Sequence, residues 1–185
     1  MHAAPPLLGT DTPKSQQHTA LLQALGALLA GERDFIANLA NASALLMATL
    51  PDLNWAGFYL LKDAGLVVGP FQGKPACVRI ALGRGVCGRA AAARQTIVVT
   101  DVHAFADHIA CDAASRSEVV VPLLATDGRL LGVMDLDSPL LARFDATDAA
   151  ALEAFAAPPL SGLRHGLTRF TWRGKYTRRC EYPRG

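Results

Sequence analysis

Two apolar runs joined by a short polar segment constrain the fold of this chain more than any other feature. They span residues 118–125 and 130–138, and the four residues between them contain Asp127-Gly128. Asp-Gly between apolar runs is a strong signal for a β-hairpin. With Asp127-Gly128 as a two-residue turn, or with 126–129 as a four-residue loop, paired residues have numbers that add up to 255. The register of the hairpin is therefore predictable.

This register predicts a cluster of three carboxylates. It places Glu118 opposite Asp137 and Val120 opposite Asp135, and side chains two apart on a strand share a face. The three acids then converge on one face, although directly opposed like charges destabilise a sheet. A solvated sheet face would explain the acids if their neighbours were polar, but the neighbours are apolar. We expect the cluster to bind a cation, or to keep one acid protonated as a proton donor.

A second hairpin is predicted earlier in the chain, with strands over residues 55–61 and 66–71. The alternation places Trp55, Gly57 and Tyr59 on one face of its first strand. Two aromatic side chains on an isolated strand are most simply core residues. Beside a triple-acid cluster they can instead form an aromatic wall for an ammonium or sulfonium group. Both interpretations stay open at this point.

The remaining elements indicate an α+β fold. Helical spacing of apolar residues predicts helices over 21–29 and from Phe35 to Leu50, an Ala-rich helix follows the Gly-rich stretch 83–88, and the last helix starts at Thr147. Between them, a strand over 96–100 precedes a long polar loop, residues 101–117, and loops of that length are usually functional. The order of elements predicts a central antiparallel sheet with helices packed on one face.

Composition and charge exclude several classes of function. Half of the residues are hydrophobic and no apolar run reaches the length of a membrane span. The first residues lack the basic and apolar regions of a secretory signal, so we expect a cytoplasmic protein with reduced thiols. Residues 161–185 hold seven basic residues and one acid, against eleven and fifteen in the rest of the chain. This basic stretch has no DNA-reading motif beside it, so nucleic acid is not favoured as a partner.

Four cysteines, Cys77, Cys87, Cys111 and Cys180, are present, and no two are spaced as C-x-x-C. Cys111 lies in the polar loop, seven residues before Glu118. Cys87 lies near a predicted helix N-terminus, where the helix dipole favours a thiolate. Cys111 could bind a metal with His103 and His108, but a fourth ligand is not evident, so no metal is expected.

Together these motifs resemble those of the free methionine-R-sulfoxide reductases, which are built on a GAF domain. The resemblance covers roughly residues 20–157 and rests on five segments: Asn54-Trp55-Ala56-Gly57-Phe58-Tyr59, Gly69-Pro70-Phe71-Gln72-Gly73-Lys74, Gly83-Arg84-Gly85-Val86-Cys87-Gly88, residues 101–122 and Gly132-Val133-Met134-Asp135-Leu136-Asp137-Ser138. It implies a single GAF domain whose long loop is the active-site loop.

The resemblance also implies a role for each thiol. Cys111 matches the nucleophile, which attacks the sulfoxide sulfur and is left as a sulfenic acid. Cys77 matches the main resolving cysteine, which closes a disulfide with Cys111 for reduction by thioredoxin. Cys87 matches a third thiol whose part in recycling varies between members. Cys180 matches no family thiol.

For the substrate, the resemblance implies an amino-acid pocket. Glu118, Asp135 and Asp137 match the carboxylates that hold the amino group and help to protonate the departing oxygen. Trp55 and Tyr59 match the wall around the methyl group. The expected partners are free methionine sulfoxide, thioredoxin as external reductant and a second copy of the chain in a homodimer. No cofactor is expected.

Three segments are expected along the chain: a flexible leader over 1–13, a GAF-type catalytic domain over 14–157, and a basic, disordered tail over 158–185. The tail departs from the family, whose members usually continue the last helix where this chain has Pro158-Pro159. Two alternatives to catalysis remain. The chain could be a GAF module that binds a small ligand, or a redox sensor in which Cys77 and Cys111 form a reversible disulfide without turnover.

Overall fold

One antiparallel sheet forms the centre of the computed structural model, which describes residues 12–107, 109 and 112–157. Its strands follow the spatial order β3-β2-β1-β6-β5-β4. The order places β1 and β6, which carry four of the five predicted substrate-binding residues, in the middle of the sheet. The strands are β1 (Trp55–Lys62), β2 (Gly65–Gly73), β3 (Arg79–Ala81), β4 (Ile97–Val99), β5 (Ser117–Leu124) and β6 (Leu130–Ser138).

The helices of the described part of the chain cover the two faces of the sheet unequally. They are α1 (Lys14–Leu29), α2 (Phe35–Thr49), α3 (Gly85–Ala93) and α4 (Ala146–Ala156), with a 3-10 turn at Val102–Ala104. Helices α1, α2 and α4 share one hydrophobic cluster with one face of the sheet, as the sequence predicts. Helix α3 packs on the opposite face, against β3, β5 and β6. That second face carries the site.

The predicted register of the β5–β6 hairpin is confirmed over most of its length. Glu118 pairs with Asp137 and Val120 with Asp135. Near the turn the ladder shifts by one residue, so that Leu124 pairs with Leu130. This bulge lies beyond the acids and leaves their alternation unchanged. The sequence did not predict β3, which has only three residues. This strand pairs with residues 65–67, at the start of β2.

Local signals in the sequence explain where two of the helices begin. Asp34 caps α2 by accepting a hydrogen bond from Ala37 N at 2.8 Å, and Asp145 caps α4 by accepting from Thr147 N and Asp148 N. Helix α2 ends at Thr49, two residues before Pro51, as expected because proline disfavours the helical conformation of the residue before it.

A buried polar cluster joins α1 to α4. Asp148, at the start of α4, contacts His18 Nε2 at 3.0 Å and Arg143 Nη1 at 3.3 Å, and it also forms an ion pair with Lys14. Lys14 donates a further hydrogen bond to Asp145. The cluster fixes α1 on the outer side of the domain, away from the acid face of the sheet.

Some of the expected features lie outside the described residues. These are nearly all of the predicted leader, the predicted basic tail over 158–185, and His108, Ala110 and Cys111 of the long loop. Among the residues that are described, no helix is both long and apolar enough to cross a membrane.

Candidate active site

The three predicted acids lie together on the face of the sheet that α3 covers. Trp55 pairs with Asp137 and Gly57 with Asp135, so β1 continues the face formed by β5 and β6. Glu118 and Asp135 are each 6% exposed, and Asp137 is half-buried. Burial of carboxylates is costly unless they are paired with protons, donors or cations. This face is therefore built to receive a proton or a positive charge.

Cys87, in the first turn of α3, points into the acid cluster. Its thiol donates a hydrogen bond to Asp135 Oδ2 at 3.2 Å, and its Sγ lies 4.0 Å from Glu118 Oε1. Burial raises the pKa of the Cys87 thiol well above its usual value, and the charges of Asp135 and Glu118 raise it further. The helix dipole favours a thiolate at Cys87, and burial and the neighbouring carboxylates act against it.

An aromatic stack forms one wall beside the acids. The Trp55 ring stacks on Phe71 with centroids 5.2 Å apart and on Tyr59 at 5.8 Å. Gly57 makes this packing feasible, since a Cβ there would lie 2.3 Å from Phe71 Cβ and 2.8 Å from Trp55 Cη2. The Trp55 indole N–H donates to the Lys74 carbonyl at 3.2 Å. Trp55 and Tyr59 are buried core residues, and they also form a wall of the site. The two interpretations of this strand, core and wall, are therefore compatible.

A pocket with about 440 Å³ of empty volume, partly open to solvent, lies between this wall, the acids and α3. Its described lining residues include four acids and no basic side chain. They are Trp55, Tyr59, Ala76, Ile80, Gly85, Val86, Cys87, Ile109, Asp112, Ser115, Glu118, Asp135 and Asp137. Such a pocket favours a small cationic group with an apolar extension.

The segment after Cys111 is held over the pocket by Asp112. This carboxylate contacts Lys74 Nζ at 3.1 Å and Asn54 Nδ2 at 3.3 Å, and it accepts a hydrogen bond from Ala114 N. Asn54 also donates to Ser115 Oγ at 2.9 Å. The Ala114 hydrogen bond lowers the pKa of Asp112 despite some opposing desolvation, and the bonds from Lys74 and Asn54 lower it further. Asp112 is thus an anionic anchor for this part of the loop.

The segment before Cys111 is anchored on α3. Arg89 donates to the Ala106 carbonyl at 3.2 Å and lies over the Phe105 ring. Asp107 forms ion pairs with Arg84 at 3.5 Å and with Arg89 at 3.6 Å. Farther along, the Ile109 side chain packs against Gly85, which has a positive φ of 59°. The loop is therefore tied to the protein on both sides of residues 110–111.

Two of the predicted thiols, Cys87 and Cys77, differ in their position relative to the pocket. Cys87 lines the pocket, whereas Cys77 is a buried member of the same hydrophobic cluster that does not belong to the described lining, although it follows the pocket residue Ala76. Cys111 and His108 lie outside the described residues, although the neighbours Ile109 and Asp112 line the pocket. His103 is exposed in the 3-10 turn and does not belong to the described lining.

The anchors of the loop were not predicted from the sequence. Asn54, Lys74 and Asp112 were seen only as parts of motifs, Arg89 belonged to none of them, and all four received no role. The position of Asp112 directly after Cys111 is the one local signal that could have suggested a positioning residue. Its partners come from distant parts of the chain, so their contacts depend on the tertiary fold.

One group of described residues in the site has the composition of a metal site, and the expectation that no metal binds stays a prediction. The Cys87 sulfur and one carboxylate oxygen each from Glu118 and Asp135 all lie within 4.8 Å of one another, and the three residues are buried. The set that the sequence suggested, around His103 and Cys111, is different.

Comparison with known sequences identifies related proteins along most of the chain. The GAF domain family model matches residues 19–157. Free methionine-R-sulfoxide reductase from Escherichia coli is 53% identical over 144 residues, which cover 78% of this chain and 87% of that protein. Protein YtsP from Bacillus subtilis is 54% identical over 145 residues, or 77% of this chain and 88% of its own length.

Comparison of structures agrees with the sequence matches. The X-ray structure of free methionine-R-sulfoxide reductase from Neisseria meningitidis, in complex with its substrate, superposes with a TM-score of 0.79 and 47% identity. The superposition covers 88% of this chain and 95% of that chain. The span of the family match, residues 19–157, contains all the strands described above and every residue of the acid cluster.

Proposed function

The chain belongs to the free methionine-R-sulfoxide reductases, a family built on the GAF domain, and we propose on this basis that it reduces free L-methionine (R)-S-oxide to L-methionine. One observation carries the proposal: three carboxylates converge beside an aromatic wall in a pocket whose described lining has no basic side chain. A free amino acid carries an ammonium group that these carboxylates can bind.

The pocket also accounts for the choice of a free amino acid. The acids hold the ammonium group, and a peptide-linked methionine sulfoxide has an amide in its place. The wall of Trp55 and Tyr59 accommodates the methyl group and the apolar part of the side chain. Recognition by buried charges is selective because a ligand without the ammonium loses its interactions with these acids.

In the proposed first step, the Cys111 thiolate attacks the sulfoxide sulfur. Glu118 delivers a proton to the departing oxygen, and Asp135 and Asp137 hold the amino group. Methionine leaves with its sulfur reduced by two electrons, and the oxygen remains on Cys111 as a sulfenic acid. The described neighbours of Cys111, Ile109 and Asp112, lie at the pocket and support this assignment.

In the proposed second step, the Cys77 thiol attacks the sulfenic acid, and a Cys77–Cys111 disulfide and water form. Thioredoxin then reduces this disulfide by thiol exchange. Both electrons come from thiols, so the reaction needs no prosthetic group. The ion pair of Lys74 with Asp112 supports this pairing, because it links the segment before Cys77 to the segment after Cys111. Cys87 takes at most a minor part in recycling, since its thiol is held protonated among the acids.

Thioredoxin-coupled oxidation of NADPH tests the proposal directly. The full chain, with thioredoxin and thioredoxin reductase, should consume NADPH with free methionine-(R)-sulfoxide. The (S) epimer and N-acetylmethionine sulfoxide should give much slower consumption. Cys111→Ser should abolish turnover without loss of fold, because a hydroxyl is a far weaker nucleophile than a thiolate.

The same assay separates catalysis from the two alternatives. A GAF binding module would bind methionine or another ligand without NADPH consumption, and a redox sensor would form its disulfide with peroxide but not turn over sulfoxide. Turnover that persists in Cys111→Ser would remove Cys111 from the proposed role.

We further propose that residues 14–157 form the catalytic domain, that the protein acts in the cytoplasm, and that it assembles as a homodimer. The domain boundaries are supported by α1, which begins at Lys14, and by α4, which ends at Ala156. A chain that ends at Ala157 should keep its thermal transition and its turnover. Light scattering of the full chain tests the dimer.

A further inference from the structure

We propose that Cys87, Glu118 and Asp135 form a binding site for a single thiophilic divalent cation, with Zn²⁺ as the best-fitting ion, and that this cation competes with the substrate's amino group. The metal site rests on the geometry, charge and donor chemistry of the described residues. Its competition with substrate rests in addition on the proposed function.

The distances within the cluster match those of a zinc site. Zinc lies about 2.3 Å from a thiolate sulfur and about 2.0 Å from a carboxylate oxygen, so a tetrahedral site needs about 3.5 Å between sulfur and oxygen. Cys87 Sγ lies 3.2 Å from Asp135 Oδ2 and 4.0 Å from Glu118 Oε1. These values lie on either side of the ideal. All three ligand atoms lie within 4.8 Å of one another.

The backbone holds the three side chains on separate and rigid elements. Glu118 lies in β5 and Asp135 in β6, where the ladder fixes their stagger because Asp135 pairs with Val120. Cys87 is held by the close approach of α3 to β3, where a Cβ on Gly88 would lie only 2.3 Å from Ala81 O. A site on such elements is preorganised, which reduces the entropic cost of binding an ion.

The charge of the pocket favours a cation, and the donor set selects its type. The described lining has four acids and no basic side chain, so a divalent ion is attracted to this face of the pocket. On binding, the Cys87 sulfur forms a bond to the metal and its proton passes to solvent. A thiolate ligand favours Zn²⁺ over Mg²⁺ and Ca²⁺, which prefer oxygen ligands. With three protein ligands, water would complete a tetrahedral set of four.

Competition with the substrate follows from shared ligands. The proposed function assigns Asp135 to the amino group and Glu118 to proton delivery, and the same oxygens would bind the ion. A bound Zn²⁺ therefore excludes the amino acid, and the protein would be inhibited reversibly by free zinc.

Cobalt binding provides a test that does not depend on catalysis. Reduced full chain is titrated with Co²⁺ without oxygen, and its visible bands and thiolate-to-cobalt charge-transfer band are recorded. We expect one Co²⁺ per chain, displaced by Zn²⁺ but not by Mg²⁺. Cys87→Ser should remove the charge-transfer band and weaken Zn²⁺ binding at least tenfold, and Glu118→Gln should weaken binding with the band retained.

Matched thiol variants exclude other sulfur ligands. Cys77→Ser, which replaces a buried thiol outside the cluster, should bind the ion as the native chain does. A chain with Cys77, Cys111 and Cys180 all replaced by Ser retains Cys87 as its one thiol and should still give the charge-transfer band. A band that persists in Cys87→Ser, or the absence of saturable binding in the native chain, would overturn the metal site. If the triple variant does not fold, the comparison of the two single variants still decides.

Calorimetry with L-methionine, the proposed product, tests the competition separately. Saturating L-methionine should lower the apparent Zn²⁺ affinity of the native chain. If zinc binds at Cys87 but methionine leaves its affinity unchanged, the competition is wrong while the metal site stands. NADPH turnover in metal-free buffer reports on the proposed function independently of both.

Discussion

Cys87 Sγ donates a hydrogen bond to Asp135 Oδ2 at 3.2 Å, across the gap between the first turn of α3 and the centre of β6. The contact joins a thiol to a carboxylate in the interior, and it raises the pKa of the thiol in addition to the effect of burial. A cysteine at the start of a helix would ordinarily be a good nucleophile. In this protein it is a hydrogen-bond donor instead.

The first prediction concerns the reactivity of Cys87. Because its raised pKa keeps the thiol protonated at neutral pH, iodoacetamide at pH 8 should label it at least about tenfold more slowly in the native protein than in urea. Mass spectrometry of the peptides gives the labelling rate of each cysteine. Labelling of native Cys87 as fast as in urea would show that the thiol is exposed or ionised, contrary to the structure.

The second prediction separates the roles of the acids. Glu118→Gln should lower kcat by a factor of about 10² or more, because an amide retains the shape but cannot deliver a proton. Asp135→Asn and Asp137→Asn should mainly raise KM. Steady-state kinetics with thioredoxin measures both constants, and Glu153→Gln on the exposed side of α4 is the control. Equal effects of the three site variants on KM alone would mean that the acids only bind.

The third prediction concerns Cys77. If Cys77 resolves the sulfenic acid, Cys77→Ser should release about one methionine per enzyme and then stall with thioredoxin as sole reductant, while a small dithiol partly restores turnover. Cys87→Ser should have the milder effect, and Cys180→Ser should behave as the native chain.

Peptide mapping after exposure to methionine sulfoxide identifies the disulfide in the native chain. We expect a Cys77–Cys111 bridge, which requires their α-carbons to come within about 7 Å. A dominant Cys87–Cys111 bridge would reverse the two assignments.

The fourth prediction compares a glycine in a tightly packed site with a glycine that has open space around it. Gly57→Ala should destabilise the fold by about 1–3 kcal/mol and raise KM, because the new methyl group meets Phe71 and Trp55 within the aromatic stack. Gly26→Ala lies in α1 with nothing within 4 Å, so it should stabilise the protein by about 0.5–1 kcal/mol. Chemical denaturation measures both changes. A neutral Gly57→Ala would show that the wall can shift without cost.

The fifth prediction concerns acid stability. The hydrogen bond from Lys14 lowers the pKa of Asp145 to about 2, with help from the backbone N–H groups of Asp148 and Thr147. Since the folded-state pKa is depressed, Asp145 stabilises the protein above about pH 4 and loses this contribution as the pH falls towards about 2. Asp145 is half exposed, so solvent screening limits the effect to less than about 1 kcal/mol.

Denaturation at several pH values tests this sign. The native chain should lose more stability between about pH 4 and pH 2 than Asp145→Asn, which keeps the helix cap but has no charge. Asp52→Asn, at an exposed turn with positive φ, serves as the control and should follow the native chain. A parallel loss in Asp145→Asn would show that the Lys14 contact contributes nothing.

The sequence predicted the acid cluster because its geometry is local. The Asp-Gly turn determines which residues of β5 and β6 face one another, and alternation along a strand determines which share a face. The pairing of Glu118 with Asp137 therefore followed from counting residues. The same rule predicted the face of Trp55, Gly57 and Tyr59, although it left open whether they were core or wall.

The tertiary structure alone decided the environment of Cys87 and the placement of α3. A sequence shows that Cys87 follows a glycine-rich turn, but not that α3 packs on the acid face of the sheet, opposite the other helices. The anchors of Asp112 likewise join residues 58 and 38 positions apart along the chain. Turn chemistry and strand alternation depend on residues close together in the chain, so they can be predicted from the sequence. Burial, and the pKa that it raises, depend on which distant segments pack together.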